Sequence, residues 1–110
     1  MIFEREGNCT IVYQENIALL KFVENLKSAY DKHKNDHIIV NLFSFSKLSS
    51  DEILEFLELS NLHRNAKKSF VLVTDKVTYD EVPDEISLVP TIQEAMDLVE
   101  MEDIERDLEL

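Results

Sequence analysis

The sequence has too few glycines and cysteines for two common kinds of site. Gly7 is the only glycine and Cys9 the only cysteine among 110 residues. A phosphate-cradling loop needs several glycines so that the backbone can approach the anion closely, and one glycine cannot supply them. One cysteine cannot form a disulfide within the chain. Both absences argue against a nucleotide loop and a disulfide-stabilised secreted domain.

Histidine is sparse as well, and its spacing does not favour a metal site. His33, His37 and His63 show neither HxH nor HExxH spacing, and Cys9 has no neighbouring cysteine, so we expect no metal site. We also expect no cofactor and no catalytic residue. We interpret His33 and His63 as cations near helix C-termini, where they complement the helix dipole. Cys9, in a strand, is interpreted as a small buried hydrophobe, with a Cys9–histidine nucleophile as the alternative.

Basic residues are also few. The chain has 11 basic and 23 acidic residues, a net charge of −12, which opposes binding to nucleic acid or an anionic membrane. Residues 94–110 hold eight acids and one basic residue, Arg106. We interpret them as a solvated helix face and a frayed tail, with an acidic tail that docks on a basic partner as the alternative.

No apolar run approaches the roughly 20 residues of a membrane helix. The N-terminus carries Glu4, Arg5 and Glu6 in place of an apolar leader, so we expect a cytoplasmic protein.

With 45% hydrophobic residues, residues 1–110 predict one domain. Its core is expected at about 2–100, and an acidic C-terminal helix or tail at 101–110.

The N-terminal part predicts a hairpin and a helix. Ile2 to Glu4 and Cys9 to Tyr13 are strand-like runs around Gly7, which can take a positive φ. After Asn16, apolar residues repeat at i, i+3, i+4, i+7 and i+11, which is typical of a helix packed on a sheet. These residues are Leu19, Phe22, Val23, Leu26 and Tyr30.

The rest of the chain alternates strands with helices. HIIVNLF and SFVLVTD are typical of buried parallel strands, and Ile86 to Val89 predicts a short last strand. Ser49 to Lys67 predicts the second helix, and Thr91 begins the third with the capping box TIQE. Asp75 to Glu85 is expected to be a loop with room for one helical turn. Such alternation indicates an α/β domain with a mostly parallel sheet of four or five strands and about three helices.

The second predicted helix is apolar on two sides. On an ideal helix, Ile53, Phe56 and Leu57 form one arc, with Leu54 beside it, and Leu59 and Leu62 fall nearly opposite. A second apolar side indicates either a partner protein or burial under loops. The partner-binding residues that this interpretation predicts are Glu52, Glu55, Glu58, Leu59 and Leu62.

The order of these elements resembles the STAS domain family, shared by bacterial anti-sigma-factor antagonists and the cytoplasmic tails of sulfate transporters. The resemblance rests on IIVNLFSFSKLSSDEI, similar to the family's strand, loop and DSSG helix start, on SFVLVTD as the next strand, and on SLVPTIQEAMDLV as the closing strand and helix. It covers residues 38–99 well and the N-terminal part in pattern only. It implies a single STAS-like domain.

The resemblance also implies a phosphorylation-site equivalent. In the antagonists, a kinase phosphorylates the second serine of DSSG, which releases the partner. Aligned without gaps from IVNL, the family's aspartate falls on Ser49, its first serine on Ser50, its phosphorylated serine on Asp51 and its glycine on Glu52. A shift of one residue would put Ser50 at the phosphorylated position. A Ser49–Glu52 capping box explains the same residues without any switch.

The resemblance therefore implies a non-enzymatic regulatory module. Its expected partner is an anti-sigma-type or other regulatory protein, or a second copy of the chain, and Asp51 implies that kinase-controlled release is lost. One alternative is a sensor of a nucleotide or another small molecule, although Asp51 and Glu52 would repel phosphate. The others are a structural subunit held by the acidic C-terminus and an enzyme that uses Cys9 or carboxylates.

Overall fold

Within the described part of the chain, five strands form one mixed sheet whose spatial order follows the chain order. A computed structural model describes residues 1–109, and the order across the sheet is β1-β2-β3-β4-β5. The strands are β1 (Ile2–Glu6), β2 (Cys9–Tyr13), β3 (His37–Asn41), β4 (Phe70–Val73) and β5 (Ser87–Val89). β1 pairs antiparallel with β2, and all other neighbours are parallel. Gly7 has a φ of 59° in the predicted hairpin turn.

In residues 1–109, four α-helices connect or follow these strands. They are α1 (Leu19–Ala29), α2 (Ser50–Ile53), α3 (Leu57–Asn65) and α4 (Ile92–Leu108). Short 3₁₀ turns occupy Tyr30–Lys32, Leu54–Phe56 and Tyr79–Glu81. The turn at 54–56 joins α2 to α3, so the structure has three helical bodies. The predicted α/β fold, with a hairpin and a mostly parallel sheet, is confirmed.

The two faces of the sheet carry different layers. The front face packs α1, α2, α3 and the loop after β4 around Phe22, Phe56 and Leu72. On the back face, α4 packs through Ala95 and Val99 on residues such as Val71. Strand alternation sends successive side chains to opposite faces, which is why the short runs of β2, β3 and β4 are almost wholly apolar.

The C-terminal helix extends further than the expected core. Thr91 caps it by accepting the Glu94 N–H at 3.1 Å, one of the two bonds of the predicted capping box. The helix then continues to Leu108, and Glu102 and Asp103 make contacts with the body of the domain. Residues 101–108 are therefore part of the folded unit, and Leu110 lies outside the described residues. Within residues 1–109, no helix is both long and apolar enough to span a membrane.

Candidate functional site

The predicted switch segment lies at the carboxyl edge of the sheet, where β3 runs into α2. Ser49 is the N-cap of α2 and forms the predicted capping box with Glu52. The Ser49 N–H donates to Glu52 Oε1 at 3.0 Å, and Ser49 Oγ accepts the Glu52 N–H at 3.2 Å. Asp51 is exposed in the first turn, where a negative charge is favoured by the helix dipole. The cap holds the Glu52 carboxylate against Ser49, so it is less available to a partner than an unbound carboxylate.

Removing this cap should lower stability measurably. We expect Ser49→Ala to reduce the free energy of unfolding by about 1 kcal/mol, because the Glu52 N–H loses its acceptor. Denaturant unfolding measures the change. Ser46→Ala is the matched control in the same exposed loop. Equal stability of the two variants would show that the cap is not a significant support of this segment.

A run of exposed side chains follows along α2 and α3 on the side away from the sheet. Leu54 is 39% exposed and Leu62 is 53% exposed, and the acids between them also face solvent. We call this surface the 51–62 face; its members are Asp51, Leu54, Glu55, Glu58 and Leu62. Glu58 forms one surface ion pair, with Lys27 Nζ at 3.4 Å. The face is therefore mixed apolar and acidic.

The sequence pattern places Leu59 on the surface of the helix, and this placement is wrong. Leu59 is only 4% exposed and packs into the front-face core, while Leu54 takes the exposed place that the sequence pattern did not assign to it. Leu59 is buried because of the 3₁₀ turn at Leu54–Phe56, in which each residue rotates the chain about 20° further than in an α-helix. Three such residues rotate α3 by roughly 60°, which carries Leu59 inward.

His63 is a buried neutral side chain, which corrects its interpretation as a cation at a helix end. Its Nε2–H donates to the Asp36 carbonyl at 2.7 Å, and its Nδ1 accepts the Tyr30 hydroxyl at 2.7 Å. Burial is the main cause that lowers its pKa, against the raising effect of the hydrogen bond to the Asp36 carbonyl, and the positive charges of Lys68 and Arg106 lower it further. His63 therefore fixes α3 to the end of α1 and to the chain before β3.

A second polar cluster joins α4 to the amino edge of the sheet. His37 Nδ1 accepts the Ser69 N–H at 2.9 Å, and its Nε2–H faces Asp103 at 3.0 Å. Burial lowers the pKa of His37 despite the opposing effect of Asp103. Glu102 accepts from Arg64 and from Ser69 Oγ, each at 2.6 Å. Sequence reasoning missed this cluster because its members are far apart along the chain.

The hydrogen bonds of this cluster hold α4 against the sheet and do not activate a nucleophile. Cys9 lies opposite His37 in the β2–β3 register, but both His37 ring nitrogens are engaged elsewhere. Burial raises the pKa of the Cys9 thiol, and the carboxylates of Asp103, Asp36 and Glu6 raise it further, so it is not a ready nucleophile. In the part of the chain that the structure describes, no group of three or more His, Cys, Asp or Glu is arranged to hold a metal.

The sequence matches no protein-family model and no curated protein. Among solved structures it is similar to a serine-to-glutamate variant of RsbS from Moorella thermoacetica. The TM-score is 0.66 with 12% sequence identity, and the match covers 96% of this chain and 97% of that chain. RsbS is a STAS-domain anti-sigma antagonist. The fold is STAS-like. This similarity confirms the architecture that the sequence resemblance implied, from the N-terminal hairpin to the closing helix.

Proposed function

We propose that this chain is a non-enzymatic, cytoplasmic interaction module of anti-sigma-antagonist type. Its contact surface is the 51–62 face together with the loop after β3, where Phe43 is exposed. The observation that carries the proposal is the pair of exposed leucines, Leu54 and Leu62, set among carboxylates on one face of α2–α3. The STAS-like fold supports it, because the similar RsbS structure belongs to a class of protein regulators.

The partner is expected to be a regulatory protein with a basic, partly apolar surface. Asp51, Glu55 and Glu58 give the face its negative sign, and the chain as a whole carries −12. Complementary charge raises the association rate and makes it depend on salt. A second copy of the chain presents the same acids, and repulsion between them disfavours pairing of two such faces.

Capture of the partner tests the surface directly. The tagged protein is used to purify partners from the cytoplasm of its own cells, with wild type beside a Leu54→Lys, Leu62→Lys variant. We expect one protein to be enriched with wild type and lost with the variant, because two apolar contacts are replaced by charges that repel a basic partner. Salt should weaken the wild-type complex.

The matched control carries the same charge change elsewhere. Leu20→Lys, Leu108→Lys replaces two exposed leucines outside the face and should retain the partner. Equal loss in both variants would mean that added positive charge, and not the 51–62 face, abolishes binding. If wild type enriches nothing, the protein-binding proposal fails.

We also propose that release of the partner is not controlled by a kinase here. The ungapped alignment puts Asp51 at the phosphorylated position, and its carboxylate supplies a permanent charge in the first turn of α2. We expect no stoichiometric phosphate on Ser49 or Ser50 after incubation with cell lysate and ATP, measured by mass spectrometry. Stoichiometric phosphate on either serine would contradict this part of the proposal.

A separate experiment tests whether the acidic C-terminus binds the partner. Deleting residues 107–110 leaves Glu102, Asp103 and Arg106 in place, so the contacts that dock α4 persist. A deletion that began at Glu102 would remove those contacts and confuse binding with folding. A binder that uses the 51–62 face should retain its partner after the shorter deletion.

A further inference from the structure

The chain leaves β4 and β5 toward opposite faces of the sheet. The loop after β4 packs on the front face, where Val77 joins the core. The chain after β5 passes to the back face and forms α4. Adjacent parallel strands whose outgoing connections diverge in this way open a crevice at their carboxyl ends, and such crevices bind ligands in open α/β sheets. The crossovers after β2 and β3 both stay on the front face. The strands with diverging outgoing connections are therefore β4 and β5, and the crevice lies between their carboxyl ends.

A cavity occupies that crevice. Its volume is about 470 Å³, within the approximate 300–1,000 Å³ range of small-molecule sites. The β4 side supplies Thr74, Asp75 and the segment Val77 to Tyr79, and the β5 side supplies Leu88 to Pro90 with Glu94 from α4. The backbone there is fixed, because the Thr74 N–H donates to the Val89 carbonyl at 3.1 Å. The cavity is therefore bounded by structured elements on both sides.

The lining combines apolar walls with two carboxylates. Lys76 is not among the lining residues, but its Nζ lies 3.6 Å from the Asp75 carboxylate, so Glu94 is the acid of the lining without a basic neighbour in that segment. Val77, Leu88 and Val89 form the apolar part, and Asp75 and Glu94 are the charged members. Tyr79 also lines the cavity, yet 77% of this residue is exposed. Burying that ring against a second aromatic group would be favourable, and a ring also attracts cations. Phosphate and carboxylate ligands would meet repulsion from Glu94, whereas Lys76 partly offsets the charge of Asp75.

We propose that this cavity binds a small aromatic cation, such as an aromatic amine. The apolar walls and the Tyr79 ring take the aromatic group, and Glu94 faces the positive charge, with Asp75 contributing less because Lys76 lies beside it. The site lies at the same carboxyl edge as the start of α2 but uses none of the 51–62 face. It is thus a second binding site, independent of the proposed protein contact.

An NMR titration tests the proposal without any protein partner. Tryptamine is added to ¹⁵N-labelled protein, and indole-3-acetate serves as the probe with a similar ring and the opposite charge. We expect saturable shifts with tryptamine at the amides of residues 74–79 and of Val89, Thr91 and Glu94, and weaker binding of indole-3-acetate. Glu94→Gln and Tyr79→Ala should each weaken tryptamine about two- to fivefold. Neither side chain supports the core, since both residues are exposed.

Glu100→Gln is the matched control, because it makes the same charge change on α4 outside the cavity lining. Equal weakening of tryptamine binding by Glu94→Gln and Glu100→Gln would overturn the role assigned to the Glu94 carboxylate. No saturable shift at these amides with tryptamine or with benzyltrimethylammonium would overturn the site itself. Equal binding of tryptamine and indole-3-acetate would overturn the preference for a cation. Each of these results leaves the proposed protein contact through the 51–62 face intact.

Discussion

Leu59→Lys is expected to unfold the domain, whereas Leu62→Lys is expected to leave it folded. Leu59 is buried in the front-face core beside Phe56, and replacing it both removes apolar packing and places an ammonium group among apolar side chains. The lost packing alone costs about 2–5 kcal/mol, and an unpaired buried charge adds to that cost. Together the two costs approach about 5 kcal/mol, the lower end of the stability of a small domain.

The two leucines make a matched pair because they lie only three positions apart on α3, while Leu59 points into the core and Leu62 into solvent. At Leu62 the lysine stem lies along the surface and its charge stays in water, so we expect a change within about 0.5 kcal/mol. Circular dichroism and denaturant unfolding of both variants measure the difference. A folded Leu59→Lys variant of near wild-type stability would mean that the rotation of α3 caused by the 3₁₀ turn is absent in solution.

Stability is expected to fall as the pH drops below about 6.5, the ordinary pKa of histidine. Burial lowers the pKa of both His37 and His63 in the folded protein, so both rings are neutral there while the unfolded chain takes up protons first. Their stabilising contribution is complete above the unfolded pKa. It is lost as the pH falls from that value toward the lower folded values. Each histidine contributes a slope of at most about 1.4 kcal/mol per pH unit.

Denaturant unfolding at pH values from above to below this window measures the slope. His63→Gln should reduce it, since a glutamine occupies a similar volume but cannot take up a proton. His37→Gln should reduce it independently, and the double variant should lose both contributions. If the slope near pH 6 is the same in wild type and the double variant, the two buried histidines do not cause the acid sensitivity.

The sequence alone predicts most of this fold because its local patterns agree with its packing. The residues at i, i+3, i+4, i+7 and i+11 of the first helix, from Leu19 to Tyr30, are all buried. β2, β3 and β4 are short apolar runs because both faces of the sheet are covered at those strands. Caps at Ser49 and Thr91 mark the starts of α2 and α4. Each of these features depends on residues within about four positions of one another.

The candidate site is predicted less well, and the reason is physical. The 3₁₀ turn at Leu54–Phe56 carries no local sequence signal that separates it from an α-helix, yet it decides whether Leu59 faces solvent or the core. The bonds of His63 to Tyr30 and of His37 to Asp103 join residues 33 and 66 positions apart. Such pairings require the tertiary structure. One available signal was a histidine within an otherwise apolar helical face, which indicates burial with partners as well as a surface charge.

The agreement between strand order and chain order also bears on how the domain assembles. Every strand after β1 pairs with the strand made just before it, so the sheet can grow at one edge as the chain leaves the ribosome, without waiting for a later segment to be inserted between two strands. Parallel pairing is usually slow because distant segments must meet, and an uninterrupted order keeps each loop closure short. α4 is the exception, because it reaches back across three strands to bring Asp103 to His37. Docking of α4 is therefore expected as the last step of folding, and until then the back face of the nascent sheet is the surface most open to chaperones and to aggregation.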